Sequence, residues 1–549
     1  MEFTVSTPSA PITFADLTFV WPDGSTVLDG IAGTFASGRT GLVGRNGSGK
    51  STLLRLIAGE LTPTSGTIET AGPVGYLPQT ASYDADSSVA DLLGIGAVIS
   101  AIQAIEAGDT EPRLFEIVGD DWDIEARAAE VLARIGFAGM RLDRRVDELS
   151  GGESMLIAIA GLRVRRTPIS LLDEPTNNLD RAARARVSDL VDDWPGTLVV
   201  VSHDLDLLER MDNTAELYGG RLEVFGGPYS EWQAALEQEQ AAAAAAVTSA
   251  KQTLKVEKRQ RIEAETKLAR RAQYAKKTQR DGGIPKIVAG RRAENAQVSA
   301  GAMRNRLDDK VASAHAAVRA ADTRVRDDDH INLTLPDPDV SRGRRIAEIT
   351  AGDRTTVVQG PERVALVGPN GSGKTALLRR LMGAADVDPA RPHGRLLTER
   401  VAYLPQRFDE LDDHASALAN VQAVAPDAVA GDIRNGLARL LIRGDAADRP
   451  IRTLSGGERF RVSLATLLLR EPPPQLVILD EPTNNLDISS VGQLVEALAA
   501  YRGALLVVSH DYRFLRDIGI DTVLALDENG AVTSTPGTSA LELPGDPTL

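Results

Sequence analysis

Short apolar runs of strand length punctuate this chain, and they end at recurring kinds of turn. Thr40 to Val43 leads into GRNGSGKS (Gly44 to Ser51), and Arg363 to Val367 leads into GPNGSGKT (Gly368 to Thr375). The stretch that follows, SerThrLeuLeuArgLeuIle in the first case, has its apolar residues at helical spacing. Further strands are predicted at LeuLeuAspGluPro and IleLeuAspGluPro, ending at Pro175 and Pro482. Two more precede His203 and His510, at LeuValValValSer and LeuLeuValValSer. LeuSerGlyGlyGlu opens an apolar-periodic helix at Leu149 and again at Leu454. Strands alternating with helices predict an α/β fold. No apolar run approaches 18 residues, so no transmembrane helix is expected.

These signals form an internal repeat. YLPQ ends at Gln79 and at Gln406, DEPTNNLD follows each signature, and SHD closes each half. Asp173 and His203 are 30 positions apart, as are Asp480 and His510. One interval differs: Lys50 to Ser150 spans 100 positions and Lys374 to Ser455 spans 81. The first half therefore carries about 19 more residues between Gln79 and Leu149, with Ala97 to Gly136 as a helical candidate for them. A neutral loop expansion and a contact element are both open readings.

Each motif implies chemistry. Gly44, Asn46, Gly47, Gly49, Lys50, Ser51 and Thr52 form a glycine-rich turn whose backbone N–H groups can face phosphate oxygens. The following helix presents its positive end to the same anion. Gly368, Asn370, Gly371, Gly373, Lys374 and Thr375 repeat the pattern. Lys50 and Lys374 are expected on the β- and γ-phosphates, with the Ser51 and Thr375 hydroxyls on Mg²⁺. Asp173 and Asp480 would hold the same metal, and Gln79 and Gln406 would sense it. Glu174 and Glu481 would polarise an attacking water, with His203 and His510 placed to contact the γ-phosphate or fix that water. LeuSerGlyGlyGlu has no lysine and so is not a second P-loop. Ser150 with Gly151 and Gly152, and Ser455 with Gly456 and Gly457, would cap their helices and offer N–H groups to an anion. The economical arrangement has each half donate this helix end to the nucleotide of the other half. Trp21 could stack on adenine; a core aromatic on a strand is the other reading. The second half has no equivalent, because no Phe, Tyr or Trp lies between Tyr274 and Tyr403.

The region from about Glu231 to Asp329 changes character. Ala, Gln, Glu, Lys and Arg dominate, which favours long helix. AspGlyGlyIlePro at Asp281 to Pro285 predicts a break into a helical hairpin. Lys251 to Lys310 holds 17 Lys and Arg against 7 Asp and Glu, a net of +10 in a chain of −16. Arg270, Arg271, Lys276, Lys277, Arg280, Lys286, Arg291 and Arg292 gather towards the bend and suit phosphate contacts. A solvated connector is the alternative. Boundaries follow at residues 1–230, 231–330 and 331–530, with 531–549 expected to be a flexible tail. The 549 residues include no Cys, which excludes disulfides, thiolate nucleophiles and Cys-ligated zinc. MEFTVSTPSA lacks the pattern of a secretory signal, so a cytoplasmic location is expected.

Together the motifs resemble the ATP-binding cassette superfamily over about 450 of the 549 residues. Two cassettes in one chain, joined by a charged helical linker, resemble its ABC-F class. The resemblance implies two P-loop cassettes closing head to tail over two ATP molecules with Mg²⁺, as a monomer with intramolecular pairing. It also implies action on the ribosome, as a translation factor or an antibiotic-resistance protein, with the linker meeting rRNA and tRNA. One site would join Lys50, Glu174 and His203 to Ser455 and Gly457; the other would join Lys374, Glu481 and His510 to Ser150 and Gly152. The second lacks the adenine-stacking aromatic, and its signature continues as SerMetLeuIle where the other has ArgPheArgVal, so weaker ATP binding is expected there. Ser170, inside a strand of the first site, is a smaller departure. The motor subunit of a transporter with separate membrane chains is the alternative function.

Overall fold

The computed structural model describes residues 10–79, 86–280, 286–326, 335–383, 391–406, 411–484, 486–527 and 529–541. They fall into two units, one from Met1–Tyr229 with His330–Leu549, the other from Ser230–Asp329.

The first unit contains the same α/β arrangement twice. In the first cassette a six-stranded sheet runs, in spatial order, Val74–Leu77, Ile169–Asp173, Thr197–Val201, Gly38–Val43, Asn213–Tyr218 and Arg221–Gly226. The second cassette repeats the order with Val401–Leu404, Leu476–Asp480, Ala504–Val508, Arg363–Val367, Thr522–Leu526 and Val532–Pro536. All neighbours pair parallel except the last pair of each sheet. Sheets covered by helices on both faces read as unbroken apolar runs, which is why these strands were legible. Leu198, Val199 and Val200 are wholly buried, as are their counterparts Leu505, Leu506 and Val507. An antiparallel three-stranded sheet flanks each, Thr26–Phe35, Ile12–Val20 and Ser65–Thr70 in the first cassette. Every P-loop and acidic motif therefore sits at the carboxyl end of a parallel strand, the edge where open α/β sheets bind ligands.

Among the described residues the longer interval of the first cassette holds four α-helices, Val89–Leu92, Gly96–Glu106, Pro112–Val118 and Ile124–Arg134; the second has Ala417–Val424 and Ala430–Arg439 there. Phe115 on Pro112–Val118 and Trp122 in the turn after it are exposed, with their rings 6.1 Å apart.

The expected tail at 531–549 is ordered in its first part. Asp527 donates its N–H to the carbonyl of Ala531, Gly530 takes φ 81°, and Val532–Pro536 pairs antiparallel with Thr522–Leu526. Thr, Ser and Pro read as disorder, yet an edge strand needs only its ladder and one packed residue, here Val532. Residues 542–549 lie outside the described ones.

The second unit holds the helices Tyr229–Arg280 and Lys286–Asp322, of 52 and 37 residues. At 1.5 Å per residue the longer one extends about 78 Å. They run antiparallel: Arg326 N–H donates to Gln240 Oε1 at 2.7 Å, Lys251 meets Asp322 at 3.4 Å, and Arg261 meets Asp308 at 2.7 Å. Small side chains, Ala243, Ala264 and Ala314, are buried within it. The expected break at Asp281 to Pro285 lies outside the described residues.

Candidate functional site

Each P-loop passes flush against a neighbouring strand. A Cβ on Gly44 would stand 2.6 Å from the Leu217 carbonyl oxygen, and one on Gly368 would stand 2.2 Å from that of Leu526. Only glycine fits there. Gly49 and Gly373 start the helices Lys50–Ile57 and Lys374–Leu381 in left-handed conformation, with no side chain capping the first turn. The leading N–H groups are thereby left to a ligand. Lys50 Nζ donates to the carbonyls of Gly44 (2.7 Å) and Arg45 (3.1 Å); Lys374 Nζ does the same to Gly368 (2.8 Å) and Pro369 (2.9 Å). Burial lowers the pKa of both lysines. The hydroxyls of Ser48 and Ser372 are buried without a protein partner.

The acidic pairs end the strands Ile169–Asp173 and Leu476–Asp480. Glu174 (φ 52°) and Glu481 (φ 48°) adopt the left-handed region, unusual for a residue with a side chain. This bend turns consecutive carboxylates towards one face, which plain strand alternation would forbid. It is held by N–H donation from Glu174 to Val201 and from Glu481 to Val508, each 2.8 Å. Tyr76 and Tyr403, which carried no sequence signal beyond their YLPQ setting, donate to Asp173 and Asp480 at 3.4 Å. Thr375 Oγ1 also donates to Asp480, at 3.4 Å.

His203 Nε2 lies 3.1 Å from Glu174 Oε1, and His510 Nε2 lies 3.4 Å from Glu481 Oε1. Burial pushes the carboxyls up, to about 8 for Glu174 and about 7 for Glu481, and pushes the imidazoles down, to about 3 and about 4. Desolvation is the largest cause in all four, so burial rather than pairing sets the direction of each shift and neither couple is a fixed ion pair.

A cleft of about 250 Å³ brings Trp21, Asn46, Gly47, Gly49, Lys50, Ser51, Thr52, Gln79, Asp173, Glu174 and His203 together, with Val27 on its apolar wall. Trp21 stands edge-on to Phe19, with centroids 4.9 Å apart. In the second cassette, Gln406 Nε2 donates to Asn178 Oδ1 at 3.3 Å, and His510 Nε2 is 3.1 Å from Asn370 Oδ1.

Contacts between cassettes run through a segment to which the sequence reading gave no role. Asn46 N–H donates to Asp487 Oδ2 at 2.6 Å. Asn370 donates its backbone N–H to Asp180 Oδ2 (3.3 Å) and its side-chain amide to the Asn178 carbonyl (2.9 Å). The available signal was the repeat of AsnAsnLeuAsp itself. The signature serines serve their own helices. Ser150 and Ser455 each form a capping box with Glu153 or Glu458, and the nearest atoms to a Cβ on Gly152 would be Leu179 and Ala183 of the same cassette. Gly151 and Gly456 face open space, and Gly457 has only Arg461 and Ser490 nearby, also of its own cassette.

Among the linker basics, Arg270, Arg271 and Lys277 are exposed. The side chains of Lys276, Arg280, Lys286, Arg291 and Arg292 lie outside the description. Among the described residues no helix is long and apolar enough to cross a membrane, and no three His, Cys, Asp or Glu form a metal cluster. A Mg²⁺ ion suits the donors present: hard oxygens of one carboxylate, one hydroxyl and one amide per site, with Asp173 Oδ1 buried and without a partner. That ion is commonly held by one or two carboxylates plus substrate phosphates, so no acidic cluster is needed.

A family described as "ABC transporter" matches residues 28–177 and 353–484. ATP-binding protein Uup of Escherichia coli (strain K12) is 31% identical over 511 residues, covering 87% of this chain and 74% of that protein. Tylosin resistance ATP-binding protein TlrC of Streptomyces fradiae is 30% identical over 566 residues, covering 92% of this chain and 96% of that protein. Among solved structures, RNase-L Inhibitor shares the fold at TM-score 0.53 and 19% identity, over 95% of this chain and 90% of that one. Two matched cassettes, the helical pair between them and relatives aligned along nearly the whole chain lead to one assignment: this chain belongs to the ABC-F class of the ATP-binding cassette superfamily and is an ATPase.

Proposed function

We propose that the chain binds two ATP molecules between its cassettes and works on the ribosome, as a translation factor or a resistance protein, with hydrolysis driving release. The observation that carries this is the basic hairpin: +10 between Lys251 and Lys310 against −16 overall, on helices that outreach any cassette element. An acidic body bearing one basic prong suits a polyanion met by the prong alone. The drug-resistance name of TlrC supports the same direction.

In this reading Lys50 and Lys374 leave the P-loop carbonyls for the phosphates. Ser51, Gln79 and Asp173, or Thr375, Gln406 and Asp480, hold Mg²⁺, which supplies charge neutralisation at the phosphates when bound. Glu174 and Glu481 orient and polarise the attacking water, and His203 and His510 hold the carboxyl and the γ-phosphate in register. Nucleotide between the cassettes shifts the population towards the closed form. Lys276, Lys277, Arg280 and their neighbours meet rRNA or tRNA phosphates.

The test uses Glu174→Gln with Glu481→Gln, which should retain ATP. Sedimentation with ribosomes, lost when Arg270, Arg271, Lys276 and Lys277 are changed to Gln, is the expected result. A chain that stays at the top of the gradient, or follows membranes, refutes the ribosomal reading and returns the transporter one.

A further inference from the structure

The two cassettes repeat each other closely, so a place where the repeat fails at both partners of one contact carries information. Arg181 follows Asp180, and Tyr512 follows Asp511. Their equivalents in the opposite cassettes are Ile488, which follows Asp487, and Leu205, which follows Asp204. The chain thus holds a cation and an aromatic ring at one such pair of positions and two aliphatic side chains at the other.

The cation and the ring meet across the cassettes. The Arg181 guanidinium lies over the Tyr512 ring, 4.6 Å from its centroid, well within the reach of a cation–π contact. Its neighbours in cassette one dock on the same site. Asp180 and the Asn178 carbonyl hold Asn370, and Asn178 Oδ1 accepts from Gln406 and from Asn484 at 3.3 Å each. Tyr512 itself packs on the core of its own cassette. It opens the helix Tyr512–Asp517, whose cap Asp511 accepts from the Phe514 N–H at 2.9 Å and donates its own N–H to Ser509 Oγ at 3.1 Å. His510 lies between Ser509 and Asp511, and its N–H donates to Glu481 Oε2 at 3.3 Å. A grip on Tyr512 therefore bears on His510 through one short, hydrogen-bonded turn.

We propose that Arg181 is a positioning residue acting in trans on the second ATP site: its clasp on Tyr512 holds the His510 turn in register with Glu481, and the first site has no such clasp. A turn fixed in advance keeps imidazole and carboxyl where the reacting water needs them, and small misplacements there cost rate. Arginine suits the place because its planar group stacks on an aromatic face while keeping its charge. A cation over a ring at a partly exposed position shifts an equilibrium by roughly two- to fivefold, so the clasp tunes the second site rather than closing the cassettes by itself. Ile488 brings no charge and Leu205 no ring, so the reciprocal dock of Asp487 on Asn46 stands without this support.

This inference rests on the reading of Glu174 and Glu481 as the bases of separate sites, and the experiment separates the two. ATP turnover of the full chain is measured in Glu174→Gln, where only the second site is active, and in Glu481→Gln, where only the first is. Each background receives Arg181→Met, Tyr512→Leu or both. In the Glu174→Gln chain each single change should lower kcat about threefold at unchanged KM, and the pair should lower it no further, because both remove the same contact. In the Glu481→Gln chain turnover should not change. Arg181→Lys and Tyr512→Phe, which keep a cation and a ring, should restore most of the rate. Arg181 is exposed, so Arg181→Met tests the clasp even where Tyr512→Leu fails to fold. Equal losses in both backgrounds, which a general packing or closure defect would give, overturn the proposal. So do losses that multiply in the pair, a rise in KM alone, or no loss at all. A Glu174→Gln chain with no turnover while the clasp is intact overturns the base assignment of Glu481, and the proposal with it.

Discussion

Trp21→Ala tests whether the two nucleotide sites differ in their adenine wall. Trp21 and Val27 line the apolar side of the cleft that also holds Lys50 and Ser51. Trp21 is only half-buried and meets Phe19 in a T-shaped pair. Stacking of a base on an aromatic ring is worth about 1–3 kcal/mol by alanine substitution. That corresponds to a loss of roughly 5- to 150-fold in Kd. The substitution is made in a Lys374→Ala chain, so that binding reports the first site, and affinity is read by titration with a fluorescent ATP analogue. The same substitution in a Lys50→Ala chain is the control and should leave affinity unchanged. A loss below twofold in the first chain, or an equal loss in both, refutes the argument and makes Trp21 a strand aromatic packed on Phe19.

Three more outcomes follow from particular residues. Glu174 holds its proton up to about 8 when folded, because burial disfavours its charge. Its contribution to stability is fully present below the usual carboxyl pKa of about 4.5 and is lost as pH rises towards 8; Glu174→Gln should flatten that slope in thermal unfolding, and an unchanged slope would place the proton elsewhere. Ser170 is wholly buried with an unpartnered hydroxyl, and its counterpart is Val477; Ser170→Ala should raise stability by about 1 kcal/mol in urea unfolding, and a loss would reveal a partner for that hydroxyl. Gly44→Ala would drive a Cβ into the Leu217 carbonyl, and ATP affinity at the first site should fall by more than about tenfold with circular dichroism unchanged. Native affinity in that variant would show that the loop can lift from the neighbouring strand.

Much of this protein was readable in its residues. The P-loops, the acidic strand ends and the capped signature helices are local: glycines that permit one backbone path, apolar runs with one period, a Ser three positions before a Glu. The hairpin was readable for the same reason, since helix propensity accumulates along a segment without any partner. Three features were not. The ordered Val532–Pro536 edge exists because Thr522–Leu526 offers it a ladder, which no local composition encodes. The raised pKa values of Glu174 and Glu481 come from burial, and carboxylates at a strand end look alike until their solvent is removed. The dock of Asp487 on Asn46 joins positions 441 residues apart and depends on how one cassette lies against the other. Sequence by itself determined which chemical groups stand at each strand end, because that is set by neighbours along the backbone. Tertiary structure decided which of them lose water and which charges they feel, because desolvation and Coulomb interactions depend on distance through space.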